Sequence, residues 1–566
     1  MPPARTTRRA RASLACAVAA LLGASAAEAA AGVEPDDRTP AATTRFASAA
    51  ADRAAEQAAA AARTTDRLGG ADRYATAVAA SRAAFPTADP AGLTTVYLAS
   101  GVQYADALAA GPTAVARGGS LLLTQPDRLT ATTATELRRL APDRVVVVGG
   151  TGAIGARVTA EVAALGLSVS RLGGSDRYAT SAVLAREGFP SGARTAWVAT
   201  GQGYADALAA GPAASAAAGP VVLVDGRSGT LPASTRQLLT ELGVTTVQLA
   251  GGTGAVSSGI EAGVKALVGA GAVTRAAGAD RYATAVAVSS RAFPDLATGD
   301  AYVAAGNGFA DALAVGVLAG RARRPLYLTI PYCANEPVRS ELGRSAITRI
   351  RLVGGPGAIR GLVGALEPCR STSAASSLWV VVNKKRPLQP LRYAPSPLTS
   401  PALPNINGQQ LRSDAAAALA GLAAGSRAAG AGSVAMLSGY RSFSYQSSVY
   451  AAKVASSGVT EADRWVARPG YSEHQTGLGT DLSPVGASGC SSYTCIGNTP
   501  QGRWIAANAW RYGFVVRYES GQTATTGYNP EPWHLRYVGT ALARDYQADR
   551  FHSLEDYFGL PAAPRY

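Results

Sequence analysis

The feature that most constrains the fold is an internal repeat that occupies residues 65–370. The pentapeptide D-R-Y-A-T begins at residue 72 and returns at residues 176 and 280, a period of 104 both times. Two further motifs follow it in the same order in every copy: [YF]-A-D-A-L at Tyr104, Tyr204 and Phe309, and G-G-x-G-A at Gly149, Gly251 and Gly354. Because solenoid units span only about 20–50 residues, this period predicts whole domains in tandem.

Each repeat alternates short β-rich runs with Ala-rich stretches of helical spacing. In the first copy the β-rich runs cover residues 96–99, 120–124 and 145–148, and their continuous apolar character is typical of strands buried on both faces. Alternation of this kind predicts parallel, Rossmann-like α/β modules. The recurrent Asp residues stand where helices should begin, which favours helix capping and pairing with nearby Arg over chemistry.

The third motif of the first copy, residues 150–155, matches the dinucleotide fingerprint G-x-G-x-x-G. The match is weak, since Ser257 and Arg360 replace the last glycine in the sister copies and no suitable acidic residue follows about 20 positions later. A tight strand-to-helix turn explains all three copies without a nucleotide.

The N-terminus indicates that the chain is secreted. Four Arg precede an apolar stretch from Leu14 to about Ala27, and Ala27-Glu28-Ala29 fits a small-x-small cleavage site, so we predict a signal peptide (1–29) and a secreted chain. An Ala-rich linker (30–64) follows, and we expect no membrane span after signal removal.

Lys and Arg total 53 against 38 Asp and Glu, a net charge of +15, which favours an anionic partner. Secretion argues against nucleic acid.

Cysteine usage agrees with secretion. Cys333, Cys369, Cys490 and Cys495 remain after the signal, and secreted chains oxidise such even sets. Proximity along the chain favours the pairs 333–369 and 490–495, although two other connectivities are formally possible. The spacings lack the paired knuckles of a Cys₄ zinc site.

The three ordered motifs resemble cell wall binding repeat type 2 modules, here at residues 65–166, 167–270 and 271–370. The resemblance implies a wall-anchoring unit of Gram-positive type, in which three modules pack with pseudo-threefold symmetry and hold anionic secondary cell wall polymers. The third copy departs from the pattern at Ala277, where the others have Gly69 and Gly173.

Behind a short linker (371–378), residues 379–566 lose the repeat motifs and gain a metal-binding pattern. The whole chain has three His. His474 precedes Asp481 by seven residues, and Glu531 precedes His534 by three. Two His and one Asp with an open fourth position match a catalytic zinc shell, and a nearby Glu can serve as the base. His552 lies in an ordinary amphipathic tail, and we predict a structural role for it.

Arg441 lies upstream, in a segment that we predict to run from a strand end into a helix. A cation there can stabilise an oxyanion or bind a substrate carboxylate, and a surface ion pair is the alternative.

Four motifs in order resemble D-alanyl-D-alanine carboxypeptidases of the VanY type: V-V-V-N-K-K-R-P-L from residue 380, S-G-Y-R-S-x-x-x-Q from 438, S-x-H-x-x-G-x-G-x-D from 472 and E-P-W-H-L-R-Y-V-G from 531. The resemblance implies a small α+β domain with a mainly antiparallel sheet. It implies these roles: zinc ligands His474, Asp481 and His534, base Glu531, oxyanion cation Arg441, and site-shaping residues Ser472 and Gln446.

The sequence therefore predicts a multidomain protein that is secreted and associated with the cell wall. Its function would be that of a zinc D,D-carboxypeptidase removing the terminal D-Ala from peptidoglycan stem peptides, with the repeats raising its local concentration on the wall. An endopeptidase of the same family is one alternative. A wall-bound adhesion or surface protein with an inactive peptidase domain is another, and the intact His474, Asp481, Glu531 and His534 set argues against it.

Overall fold

The computed structural model describes residues 63–294, 299–344 and 347–566. The predicted signal peptide and residues 30–62 of the predicted linker lie outside the described residues. Twelve strands are described in the repeat region: β1 Thr64–Leu68, β2 Thr95–Ser100, β3 Ser120–Thr124, β4 Arg144–Val148, β5 Ser168–Leu172, β6 Thr195–Thr200, β7 Val221–Val224, β8 Thr246–Ala250, β9 Val273–Ala276, β10 Gly299–Ala305, β11 Leu326–Thr329 and β12 Ile347–Val353.

Helices follow the strands in each repeat, which confirms the predicted α/β alternation. They are α1 Arg73–Ala84, α2 Ala110–Ala116, α3 Ala131–Leu140, α4 Ala156–Ala163, α5 Arg177–Gly188, α6 Ala205–Ala216, α7 Ala233–Glu241, α8 Ser258–Val268, α9 Arg281–Ala292, α10 Ala310–Arg321, α11 Glu336–Arg344 and α12 Gly361–Gly364, with 3₁₀ turns at Ala107–Ala109 and Ala270–Ala272.

Three four-stranded parallel sheets are described, and each takes its last strand from outside the predicted repeat. Their orders are β3-β2-β4-β5, β7-β6-β8-β9 and β11-β10-β12-β1. Strand β5 therefore completes the first sheet although it follows residue 166, and β9 completes the second although it follows residue 270. Strand β1, at the start of the region, closes the third sheet by pairing with β12. The three repeats are thus interlocked through their edge strands.

The interior where the repeats meet is built from the equivalent helices α2, α6 and α10, which are almost entirely buried. Their many Ala and Gly residues let the helix backbones approach closely. The [YF]-A-D-A-L aromatics meet beside them, with the rings of Tyr104, Tyr204 and Phe309 at centroid distances of 5.4, 5.8 and 6.2 Å. These contacts are consistent with the pseudo-threefold packing that the family resemblance implies.

The recurrent polar residues of the repeats have structural roles. Asp72, Asp176 and Asp280 cap helices α1, α5 and α9 by accepting two backbone N–H bonds each, an arrangement that contributes about 1 kcal/mol per helix. Gly149 has a φ of 91°, and a Cβ there would lie 2.6 Å from the Asp106 carboxylate. The G-G-x-G-A motif is therefore a tight turn against the Asp of the preceding motif, and no nucleotide is needed to explain it.

The C-terminal domain is an α+β fold around an antiparallel sheet, as predicted. Its sheet has the order β15-β16-β18-β17. The elements are β13 Leu398–Thr399, β14 Leu411–Arg412, α13 Ser413–Ala428, β15 Ser433–Ser438, α14 Phe443–Trp465, β16 Gly479–Val485, α15 Pro500–Asn508, β17 Phe514–Tyr518, α16 Thr523–Thr526, β18 Glu531–Tyr537, α17 Thr540–Ala548 and α18 Leu554–Phe558, with 3₁₀ turns at Glu473–Thr476, Tyr493–Asn498 and Ala509–Tyr512.

The third repeat is docked directly on this domain. Arg360 donates to the Tyr557 carbonyl at 2.7 Å and lies over the Phe551 ring at 4.3 Å. An apolar cluster joins Leu362 of the repeat to Val538 and Leu542. The Arg that replaces glycine in the third copy is thus an interdomain contact.

The segment that we predicted as a linker, residues 371–378, is packed against the C-terminal domain. Ala375 is buried, and Arg412 donates to the Ser376 carbonyl at 2.9 Å. The burial of Ala375 and this hydrogen bond hold the segment against the domain, although half of its residues are exposed.

Both disulfides favoured by proximity are present, Cys333–Cys369 and Cys490–Cys495. Among the described residues, every helix is too short or too polar to span a bilayer.

Candidate metal centre and active site

Two neighbouring strands and one turn bring the predicted ligands together. Asp481 lies in β16 and His534 in β18, and the antiparallel register pairs these two residues directly. His474 belongs to the 3₁₀ turn that leads into β16. Ligand atoms of these three residues all lie within 4.8 Å of one another.

The hydrogen bonds define which ring nitrogens face the cluster. The His474 Nδ1–H donates to the Gly439 carbonyl at 2.7 Å, because a carbonyl can only accept. Its Nε2 lies 3.2 Å from Asp481 Oδ2, and His534 Nδ1 lies 2.8 Å from Asp481 Oδ1. Two imidazole nitrogens and a carboxylate thus converge, which is a donor set that suits Zn²⁺.

Burial and charge also fit a cation at this point. Burial, with Arg441 adding to it, lowers the pKa of His474 to about 4, so the ring is neutral near pH 7 and its Nε2 is a buried acceptor without a hydrogen-bond partner. Burial alone would lower the pKa of His534, yet Asp481 and Glu473 raise it to about 9. The carboxylates therefore attract positive charge to the cluster, and the residues present fit a zinc ion.

Glu531 and Arg441 line the same cavity, which has a volume of about 550 Å³. Burial raises the pKa of Glu531 to about 8, and the negative charge of Asp481 acts in the same direction. The positive charges of His534 and Arg441 lower this pKa and only partly offset the rise. The side chain of Arg441 is only 16% exposed, its Nη2 lies 3.9 Å from Asp481 Oδ2, and its Nε has no hydrogen-bond partner. Arg441 is therefore a largely buried cation at the cavity, and the surface ion pair that the sequence left open does not describe it.

The two weaker candidates differ from each other. Ser472 is buried and lines the cavity. Gln446 is also buried, but it is not among the cavity's lining residues, and its Nε2 donates to the Ala467 carbonyl at 2.7 Å. Gln446 thus supports the cavity wall at Ala467, and direct substrate contact does not follow from its position. His552 is exposed and pairs with Glu519, outside the cavity.

Sequence reasoning missed an aromatic wall of the cavity. Trp465 and Trp533 stack at 6.3 Å, and Tyr493 meets Trp533 edge-on at 5.2 Å. Tyr493 lies in the loop that Cys490–Cys495 closes. The sequence signal that could have indicated this wall is the pair Cys490 and Cys495, because a disulfide across so short a loop fixes the position of Tyr493.

Family comparisons agree with this architecture. The family described as D-alanyl-D-alanine carboxypeptidase, VanY, matches residues 408–540. The family described as cell wall binding domain 2 matches residues 67–159, 171–261 and 275–363. The chain therefore belongs to the VanY family of D-alanyl-D-alanine carboxypeptidases and has three cell wall binding domain 2 repeats before its peptidase domain.

Individual relatives match parts of the chain. The N-acetylmuramoyl-L-alanine amidase LytC of Bacillus subtilis is 30% identical over 52% of this chain and 56% of its own length. YodJ of the same species is 37% identical over 32% of this chain and 67% of its own length. A D-alanyl-D-alanine carboxypeptidase of Enterococcus faecium is 44% identical over 18% of this chain and 29% of its own length. This chain thus spans only about half of LytC and less than a third of the Enterococcus enzyme.

Proposed function

We propose that this protein is a secreted, cell-wall-anchored zinc D,D-carboxypeptidase that removes the terminal D-Ala from peptidoglycan stem peptides. The observation that supports it most is the convergence of His474, Asp481 and His534 at one cavity with Glu531 and Arg441, within a domain of the VanY family. The same convergence argues against a surface protein with an inactive peptidase domain, since the proposed ligands, base and cation lie together at one cavity.

The residues divide the chemistry between them. Zinc, when bound by His474, Asp481 and His534, supplies Lewis acidity that polarises a carbonyl and lowers the pKa of water to about 7. Glu531, in its ionised form, takes the proton of the attacking water and returns it to the leaving amine. Burial raises the pKa of Glu531, and the positive charge of a bound zinc would oppose that shift and favour the ionised form. Arg441 places a cation at the cavity, where it would stabilise the negative charge that develops on the reacting carbonyl or bind the substrate's terminal carboxylate.

The repeats supply the wall association. We propose the domain division that the sequence predicts, with the signal peptide removed on export and the repeats binding anionic secondary cell wall polymers. Without residues 1–29, which hold four Arg and one Glu, the net charge is +12, and this charge supports an anionic partner. Since Arg360 and the apolar cluster dock the third repeat on the peptidase domain, wall binding would also orient the catalytic cavity.

Product analysis tests the activity. The full chain with zinc is incubated with a muropeptide whose stem ends in D-Ala-D-Ala, and mass spectrometry should show the loss of one alanine. The same chain should leave the resulting tetrapeptide stem intact. Cleavage of cross-linked dimers without alanine release would favour the endopeptidase, and alanine release from the tetrapeptide alone would contradict D,D specificity.

Wall binding is expected to depend on anionic polymers and on salt. A full-length Glu531→Gln chain, chosen so that it does not digest the wall, should sediment with intact walls and much less with walls stripped of secondary polymers. The Debye length falls from about 10 Å at 0.1 M to about 3 Å at 1 M ionic strength. Wall binding should therefore weaken at least about tenfold across that range. A soluble pentapeptide should not release the chain, because the repeats hold it. Equal binding to stripped and intact walls would contradict the polymer hypothesis.

A further inference from the structure

Glu473, the residue before His474, is a buried acid for which the mechanism above has no task. Its side chain is fully excluded from solvent. One carboxylate oxygen, Oε1, accepts from Arg517 Nε at 2.9 Å and from Arg536 Nη1 at 3.0 Å. The other oxygen, Oε2, has no hydrogen-bond partner and lies 3.6 Å from His534 Nε2, which has none either.

The two Arg are themselves held on all sides. Arg517 makes a two-pronged pair with Glu555 at 2.8 and 3.0 Å, and Asn383 donates to the same carboxylate at 2.9 Å. Arg536 donates to the carbonyls of Leu378 and Val380. Both guanidinium groups are fully buried. Glu473 is therefore held in one position by two Arg side chains that are themselves fixed by other contacts.

We propose that Glu473 is the positioning residue of His534, and this inference rests on the zinc site of the proposed function. Oε2 is aimed at the nitrogen of His534 that faces away from Asp481. Its negative charge, 3.6 Å from Nε2, favours a proton on that nitrogen and so leaves the Nδ1 lone pair for the metal. His474 is oriented in the opposite sense, since the Gly439 carbonyl holds its Nδ1–H and leaves Nε2 for the metal.

The same network accounts for two motif residues without catalytic tasks. Arg536 is the Arg of E-P-W-H-L-R-Y-V-G, and Asn383 is the Asn of V-V-V-N-K-K-R-P-L. Arg536 contacts Glu473 Oε1 directly, and Asn383 is linked to the same oxygen through Glu555 and Arg517. These contacts hold Arg517 and Arg536 in place, and the carboxylate that faces His534 is that of Glu473.

Glu473→Gln is an informative substitution because the two Arg impose its orientation. Both donate, so the amide oxygen of Gln must face them and the NH₂ group must face His534 Nε2. That nitrogen can then only accept, which moves the ring proton to Nδ1 and blocks the ligating lone pair. We expect zinc affinity of the full chain, measured by competition with a chromophoric chelator, to fall about 10- to 100-fold.

Glu555→Gln is the matched control, since it makes the same chemical change in the same buried network without facing a histidine. It should alter thermal stability but keep zinc affinity within about threefold, a margin well inside the loss expected for a disturbed ligand support. Nitrogen-15 histidine NMR of the zinc-loaded wild-type chain gives an independent readout, since the chain has only three His. It should show a protonated Nε2 at His534 and a protonated Nδ1 at His474.

The outcomes separate the two proposals. Wild-type zinc affinity in Glu473→Gln, or a protonated Nδ1 on zinc-loaded His534, overturns the positioning role alone. A wild-type chain that binds no zinc overturns both this role and the proposed function. If Glu473→Gln does not fold, a protonated Nδ1 on zinc-loaded His534 in the wild-type spectrum still overturns the positioning role.

Discussion

Glu531→Gln is expected to keep one zinc per chain and to lower kcat on a pentapeptide stem by about 100- to 10,000-fold, the usual contribution of a general acid–base group. The change preserves the shape of the side chain but removes its ability to accept a proton. Zinc should remain, because the cluster of possible ligand atoms contains His474, Asp481 and His534 and not Glu531. Zinc content and single-turnover rates on the same preparation check both statements.

Two further variants complete this test. His534→Ala should lose zinc and activity together, because it removes a ligand. Glu519→Gln makes the same carboxylate-to-amide change outside the cavity, where Glu519 pairs with the exposed His552, and should leave turnover unchanged. Near-normal activity of Glu531→Gln would show that another group serves as the base.

The fold could be predicted largely from periodicity. Buried apolar runs such as residues 145–148 became central strands, and the strand–helix alternation became parallel sheets, because both follow from local pattern. The exchange of β1, β5 and β9 between sheets could not be predicted. A repeat in sequence gives the period of the units but not the point at which one sheet ends, since parallel strands pair at long range.

The ligand cluster could also be predicted, because histidine is so rare in this chain that two His–carboxylate pairs stood out. What the sequence could not give is the position of side chains that come from elsewhere. Glu473, Arg517 and Glu555 are separated by up to 82 positions along the chain and meet only when β17 and α18 pack against the turn at Glu473. Buried charges of this kind leave no local pattern, because their partners are set by tertiary packing.

The docking of the third repeat bears on how the enzyme works on a surface. A flexible tether would let the cavity sample every orientation, whereas Arg360 and the apolar cluster around Leu542 fix it. The gain from anchoring would then include orientation as well as local concentration. It would also confine cleavage to stems presented at a particular angle to the bound polymer.

The second large effect is expected at the substrate's free carboxylate. A carboxypeptidase binds a chain end, and amidating that end removes the anion while its cationic partner stays buried. Leaving such a group unpaired costs about 1–3 kcal/mol, so kcat/KM should fall about 5- to 150-fold on the amide of the pentapeptide stem. Arg441 is the candidate partner, since it is 84% buried by side-chain area and its Nε has no hydrogen-bond partner.

Arg441→Ala distinguishes the two roles proposed for this cation. The measurement is kcat/KM of the wild type and of the variant, each on the pentapeptide acid and on its C-terminal amide. If Arg441 binds the substrate carboxylate, the variant should lose activity on the acid but little on the amide, so the preference for the acid disappears. If Arg441 instead stabilises the oxyanion, both substrates lose activity in the same proportion and the preference remains, because both pass through the same charged transition state. A wild-type chain that cleaves the amide as fast as the acid would contradict carboxylate recognition and favour an endopeptidase.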